Sequence, residues 1–176
     1  MSKFNIKRDI HINAPIEKVW DISYNKFSEV DKWLTAVPLS TGSNPKQAED
    51  TTCERQCTPN VKGFGKTLEA LEFVDAKQNT LRYRILEGPP GFVKSATNTW
   101  SLKPASGGGT TIQMYTEMEV KGILGFLMGG LMKKQMPKIL DEALEDLKYY
   151  AEHDQPRPLK VEASEKWARK NMKRAS

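Results

Sequence analysis

The longest regular alternation of apolar and polar positions lies in the last third of the chain. In residues 132–152, apolar residues recur every three or four positions and charged residues fill the opposite side, which is the pattern of an amphipathic α-helix. A glycine-rich apolar run, residues 122–132, precedes this pattern. Pro137 lacks a backbone N–H, so it either starts the regular helix or kinks it. The apolar face comprises Met132, Met136, Ile139, Leu140, Ala143, Leu144, Leu147 and Tyr150.

The chain before this helix reads mostly as strands. In residues 4–13, apolar and polar side chains alternate, which places Phe4, Ile6, Ile10 and Ile12 on one face of a strand. Two short helices are predicted next, the first around Val19 and the second over residues 28–33. From Val37 onward, alternating segments are separated by short turns rich in glycine, proline and asparagine, and connections this short require antiparallel neighbours. The predicted strands begin at Val37 and then cover residues 51–57, 66–74, 80–87, 94–103 and 110–120.

The order of these elements predicts an α+β fold. One strand is followed by two short helices, six antiparallel strands and one long amphipathic helix. A sheet curved around the long helix is the economical packing, because each element has a single apolar face to bury. We therefore expect one domain over residues 1–153.

Charge is unevenly distributed along the chain. Residues 154–176 hold seven basic and three acidic side chains, so this tail carries four of the five net positive charges. The basic balance therefore belongs to the tail and does not indicate a nucleic-acid-binding fold. The tail contains Pro156 and Pro158. We expect it to be disordered and solvated, with a helical turn or two around Trp167 and Met172 as the alternative. Its basic residues allow weak contact with an acidic membrane surface.

The N-terminal residues and the longest apolar run give expectations about location. The first ten residues lack the apolar core of a signal peptide, so we expect a cytoplasmic protein. The longest apolar run, residues 123–132, is too short for a membrane span, which needs about 20 residues. We expect a monomer or a dimer.

The ordered set of elements and several local motifs resemble the START/Bet v 1-like (SRPBCC) superfamily, in particular polyketide cyclase/dehydrase-like proteins. The resemblance covers residues 4–152 and implies a helix-grip fold, in which a seven-stranded antiparallel sheet curves around a long C-terminal helix. It also implies a hydrophobic cavity between the two that binds lipids, sterols, polyketides or other hydrophobic molecules. The residues that carry it are the segment 12–20, Trp33, the segment 55–57, Glu69, Asp75, the segment 81–85, Trp100 and the segment 108–112.

Residues for metal or catalytic chemistry are sparse. His11 and His153 lie far apart in sequence, and Cys53 and Cys57 have no histidine or further cysteine nearby. On one strand these cysteines are about 13 Å apart, which is too far for a disulfide between them. We therefore expect two reduced, half-buried cysteines, no metal site and no cofactor.

A mostly apolar interior with a few polar groups is typical of a small-molecule site. Arg55 and Glu69 are predicted to lie opposite each other, because the turn between their strands is centred near residue 62. We expect a cavity that opens near residues 122–130. The candidate ligand-binding residues are those expected to face inward: Arg55, Glu69, Phe73, Tyr83, Asn98, Trp100, Met114, Thr116, Met118, Met132, Met136 and Leu140.

Three functions fit these features. The first is binding of a lipid, polyketide or aromatic metabolite without catalysis. The second is a cyclase or dehydratase that uses Arg55, Glu69 or Tyr83 as a polar group in the cavity. The third is a membrane- or protein-interaction module that acts through the basic tail. For the polar candidates, the alternative is a structural role: an ion pair of Arg55 with Glu69 and ordinary core packing.

Overall fold

Seven strands form a single antiparallel sheet in the computed structural model of the chain. The model describes residues 2–60 and 65–175, apart from the side chains of residues 124, 126, 128, 174 and 175. The order across the sheet is β1-β7-β6-β5-β4-β3-β2, so the first strand lies beside the last. The predicted α+β fold, a sheet with one long helix after it, is confirmed. The strands are β1 (Ser2–Ile12), β2 (Leu39–Gly42), β3 (Glu54–Thr58), β4 (Thr67–Asp75), β5 (Thr80–Glu87), β6 (Val93–Pro104) and β7 (Thr110–Val120).

Short helices connect β1 to β2 and close one end of the sheet. The first, α1 (Ile16–Trp20), continues as a π-helical segment, Asp21–Asn25, and a 3₁₀ helix follows at Phe27–Lys32. These helices bury apolar side chains against the sheet, among them Val19 and Phe27.

The long helix α2 (Gly122–His153) lies across the inner face of the sheet and packs chiefly against β1. Leu144 and Leu147 are fully buried there, as their positions on the apolar face predict. Arg8 interrupts the apolar face of β1, and its Nε forms an ion pair with Asp141 Oδ1 at 2.9 Å. Since the helix already begins at Gly122, Pro137 lies inside it and does not start it.

Glycines let the first turns of α2 approach β7 closely. A Cβ added to Gly125 would lie 3.2 Å from Val120 Cβ, and one added to Gly129 would lie 3.7 Å from Val120 Cγ2. The first of these distances is tighter than ordinary van der Waals contact, so Gly125 has a steric reason to be glycine. No helix in residues 2–60 and 65–175 has the length and apolarity needed to cross a membrane.

A β-bulge in β4 overturns one prediction. Leu71 pairs with Tyr83 and Phe73 pairs with Arg82, so Glu72 is an extra residue on the β4 side. The extra residue shifts the alternation of faces. Phe73, which we expected to line the interior, is therefore 45% exposed, and Val74 is buried in its place.

The C-terminal segment is helical, which corrects the expectation of a disordered tail. Helix α3 (Pro158–Ala175) follows α2 after a short connection. The Nζ of Lys160, a buried residue, donates a hydrogen bond to the carbonyl oxygen of Val37 at 2.8 Å. Arg157 Nη1 contacts Asp146 Oδ1 of α2 at 3.0 Å. These contacts hold the start of α3 against the domain; the division of the chain at residue 153 stays a prediction.

We expect Asp146→Ala to lower the free energy of unfolding by about 1–3 kcal/mol, because it leaves a buried donor without its acceptor. Asp146 is 1% exposed and accepts hydrogen bonds from the Thr35 backbone N–H at 2.7 Å and from Arg157. Urea unfolding measures the loss. Its exposed neighbour is the control: Glu145→Ala should change stability by about 0.5 kcal/mol or less. Equal losses in the two variants would contradict the anchoring role of Asp146.

Candidate functional site

A small apolar groove lies between the middle of α2 and strands β3 to β5. Its volume is about 120 Å³. Helix α2 contributes Met136 and Ile139, and the strands contribute inward-facing positions. Glu69 is the single charged residue among those that line it. The lining residues are Val37, Cys57, Pro59, Thr67, Glu69, Ile85, Met136 and Ile139.

A second depression lies on the other side of Ile139. It has a volume of about 150 Å³ and is more polar, with Glu142 and Asp146 on its wall. Ile139 lines both spaces, so its side chain separates the groove from this depression. The remaining lining residues are Leu34, Thr35, Ala36, Asn60 and Ala143.

The carboxylate of Glu69 is held by a buried arginine. Arg55 and Glu69 are paired directly across β3 and β4, which confirms the predicted register. Arg55 Nη2 and Nε lie 2.7 and 2.8 Å from Glu69 Oε2, and Thr67 Oγ1 donates to Oε1 at 3.3 Å. Arg55 is 5% exposed and Glu69 is 9% exposed. Both carboxylate oxygens therefore already have donors from the protein.

Aromatic rings and a backbone carbonyl complete the surroundings of Arg55. Its guanidinium carbon lies 4.1 Å from the ring centre of Phe27 and 4.8 Å from that of Tyr83, both within cation–π distance. Its Nη1 donates to the Phe27 carbonyl oxygen at 2.8 Å. Burial is the largest single influence on the pKa of Arg55 and would lower it, but the charge of Glu69, its hydrogen bond and the nearby Tyr83 and Cys57 together raise that pKa. Arg55 is therefore a permanent buried cation.

A chain of polar side chains crosses the inner face of β5, β6 and β7. Thr116 Oγ1 donates to Asn98 Oδ1 at 3.3 Å, and Asn98 Nδ2 donates to the Tyr83 hydroxyl oxygen at 3.1 Å. Burial raises the pKa of Tyr83, so it remains a neutral phenol. Since the Tyr83 oxygen accepts from Asn98, its own proton is left to donate elsewhere.

Trp100 adds a buried donor to this region. The residue is 4% exposed, and its indole Nε1 has no hydrogen-bond partner among residues 2–60 and 65–175. Its ring meets those of Trp33 and Tyr83 edge to face, at centroid distances of 6.2 and 6.3 Å. A buried indole N–H usually has an acceptor, so a ligand or a water is the natural partner.

Comparison with known families identifies the chain. The family model described as "Polyketide cyclase / dehydrase and lipid transport" matches residues 3–152. The chain belongs to the polyketide cyclase/dehydrase and lipid transport family. Among solved structures, a protein of Nitrosospira multiformis determined by a structural genomics consortium is similar in fold. Its TM-score is 0.65 at 17% identity, over 86% of this chain and 98% of that one. No curated protein matches the chain.

Most of the predicted site residues lie in the interior of the protein, but they do not line a single cavity. Glu69 and Met136 line the groove, with Arg55 behind Glu69. Tyr83, Asn98, Thr116 and Trp100 form the polar and aromatic cluster described above. Four other candidates are buried core residues that do not line the groove: Met114, Met118, Met132 and Leu140. A binding role for any of these residues stays a prediction.

Several lining residues were missed from the sequence. Cys57 and Thr67 pair across β3 and β4 two positions from Arg55 and Glu69, so the same register argument would have found them. Val37 and Pro59 stand in irregular segments, where no periodicity reports the facing direction. The predicted opening near residues 122–130 stays a prediction, because the side chains of residues 124, 126 and 128 lie outside the described part of the chain.

Candidate metal ligands do not cluster in the described residues. Over 2–60 and 65–175, no three His, Cys, Asp or Glu side chains are placed to hold a metal ion. Cys53 and Cys57 are free, as predicted, and they are fully buried, whereas the sequence predicted half-buried side chains.

We expect Arg55→Met or Glu69→Gln alone to lower stability by about 3–5 kcal/mol, because each leaves the other group buried without its partner. The double variant should lose less than the sum of the two single variants in urea unfolding. Arg84 and Glu72 form a half-exposed ion pair across β4 and β5, and their side chains are 38% and 25% exposed. The same cycle on that pair should give a coupling of about 0.2–1 kcal/mol. Additive losses at Arg55 and Glu69 would refute their energetic coupling.

Cys57 should react slowly with alkylating reagents. Burial, reinforced by the charge of Glu69, raises the pKa of its thiol from 9.0 to about 11. At pH 8 this lowers the thiolate fraction about 100-fold, and the thiolate is the nucleophile. Iodoacetamide labelling of a Cys53→Ser variant, followed by mass spectrometry, measures Cys57 alone. The same variant in urea is the control and should react as a free cysteine does; equal native and unfolded rates would contradict the buried thiol.

Proposed function

We propose that this protein binds a hydrophobic small molecule, such as a lipid, polyketide or aromatic metabolite, between the sheet and α2. One observation carries the proposal: the groove at Met136 and Ile139 is apolar except for Thr67 and the carboxylate of Glu69. An apolar space with few polar groups supports selective binding of a mostly apolar molecule.

The size of the groove suits one ring or a short alkyl segment. Its volume of about 120 Å³ is similar to that of engineered cavities, of about 150 Å³, that bind benzene. A larger ligand needs the side chains of Met136 and Ile139 to move. Methionine is flexible, and displacement of Ile139 would join the groove to the neighbouring depression.

A ligand that extends inward beyond the groove would meet two buried donors, neither of which lines the groove itself. Tyr83 is a neutral phenol with a proton to donate, and Trp100 Nε1 is a buried donor without a partner among the described residues. Both donors suit a carbonyl or hydroxyl oxygen. Tyr83 also contacts Arg55, which connects this cluster to Glu69 at the groove wall.

A cyclase or dehydratase activity is the second candidate. It is favoured by Glu69, a buried carboxylate on the wall of a groove, because such a reaction needs a group that transfers a proton. Against it, both oxygens of Glu69 already accept hydrogen bonds from Arg55 and Thr67. This arrangement supports binding more directly than catalysis. A cytoplasmic location and the absence of a cofactor remain predictions.

We expect Met136→Trp to weaken binding of an uncharged apolar dye, N-phenyl-1-naphthylamine, about tenfold or more, because the indole fills the groove. A tenfold change corresponds to about 1.4 kcal/mol. Dye fluorescence measures affinity, and native mass spectrometry of freshly purified protein detects a retained lipid or metabolite. The control is Phe73→Trp, which introduces the same residue on the exposed face of β4 and should leave affinity unchanged.

Equal dye affinity in the parent protein and in Met136→Trp would overturn the proposal, as would an absence of dye binding in the parent. A metabolite retained by Glu69→Gln and detected by native mass spectrometry separates the two candidates. If incubation with Glu69→Gln leaves that compound intact while the parent protein converts it, the protein is an enzyme.

A further inference from the structure

The first turns of α2 expose apolar side chains in a line. Ile123 is 83% exposed, Leu127 is 67% exposed and Leu131 is 45% exposed. A spacing of four residues places neighbours on the same helix surface. Lys134 and Lys138, both exposed, continue the line. We call these five residues the outer stripe of α2.

The outer stripe is not the side of α2 that packs on the sheet. Gly125, Gly129 and Met132 of the same turns are buried, and both glycines face Val120. At 100° per residue these positions lie on the opposite side of the helix from Leu127. Helix α2 is therefore apolar on both sides here, whereas a surface helix normally presents polar residues to water.

The second half of α2 shows the ordinary arrangement. Asp141 and Glu145 occupy the continuation of the outer stripe, and both are exposed. The apolar stripe is thus confined to the turns before Lys134. Exposed, contiguous apolar residues of this kind indicate a surface that contacts something other than water.

Charge indicates what covers the stripe. Residues 121–140 contain four lysines, at 121, 133, 134 and 138, and no aspartate or glutamate. Two copies of the stripe packed together would bring lysines near lysines, which disfavours self-association. An anionic lipid surface satisfies both features, because its head groups attract lysines and its acyl region accepts leucine and isoleucine.

We infer that the outer stripe of α2 is a docking surface for an anionic lipid bilayer. The helix would lie in the plane of the interface, with Ile123, Leu127 and Leu131 in the boundary between head groups and acyl chains. Lys134 and Lys138 would lie at the lipid phosphates. This surface differs from α3 and its basic residues. It does not depend on whether the groove binds a ligand, although docking would bring the groove of the same helix close to the membrane.

Vesicle co-sedimentation of the full chain tests the inference. The parent protein should sediment with phosphatidylcholine vesicles that contain phosphatidylserine, and much less with phosphatidylcholine alone. Binding should fall as salt rises, because the Debye length shrinks from about 10 Å at 0.1 M to about 3 Å at 1 M.

The triple variant Ile123→Ser, Leu127→Ser, Leu131→Ser should lower the bound fraction at least tenfold, and Lys134→Glu with Lys138→Glu should do the same. These side chains are exposed, so the fold should survive, and circular dichroism checks that it does. Three controls should bind as the parent does. Leu159→Ser with Val161→Ser removes exposed apolar residues from α3, Lys103→Glu changes an exposed charge on β6, and Lys166→Glu with Lys170→Glu changes the charge of α3.

Three results would overturn the inference. The first is equal sedimentation of the parent and the triple variant. The second is loss of binding in Lys166→Glu with Lys170→Glu alone, which would place the lipid contact on α3. The third is a concentration-dependent dimer, measured by light scattering, that the triple variant abolishes; it would show that a second copy covers the stripe.

Discussion

One helix has to cover the inner face of a seven-stranded sheet, and the rest of the structure depends on how completely it does so. The 32 residues of α2 cross that face. Leu144 and Leu147 of its second half are buried against the sheet. Its first turns use glycine for close approach to Val120, and its middle places Met136 and Ile139 over β3 to β5. Incomplete coverage there leaves the apolar groove.

The polar groups inside the fold are tolerated because they are paired. Arg55 is held by Glu69, by the Phe27 carbonyl and by two aromatic rings, so its charge is compensated. Since Phe27 belongs to the short helices and Glu69 to β4, one guanidinium joins the helical connection to the sheet. This cluster positions a carboxylate at the groove wall and makes it costly to remove.

The two sides of α2 suit two environments. One side, with Met136 and Ile139, faces a space suited to a hydrophobic molecule. The other, in the turns that precede Lys134, presents isoleucine and leucine to the outside with lysines beyond them. If the proposed ligand and the proposed membrane contact are both correct, having the two surfaces on one helix would bring the groove close to the bilayer.

The sequence by itself determined the order of the elements, the spacing of apolar positions within each and the register between β3 and β4. Alternation of apolar and polar residues located β5 and β7. The predicted turn between β3 and β4, centred near residue 62, placed Arg55 opposite Glu69. These features follow from local periodicity and chain connectivity. The bulge that turns Phe73 outward inserts one residue without changing the composition of the strand, so alternation alone did not reveal it.

Tertiary contacts decided the remainder. Helix α3 is anchored by Arg157 on Asp146 of α2 and by Lys160 on the Val37 carbonyl, which is 123 residues away in sequence. The groove likewise combines Val37 and Pro59 from irregular segments with Ile139 from α2. Only the folded chain brings these residues together, because their proximity results from packing between elements and not from the pattern within any one of them.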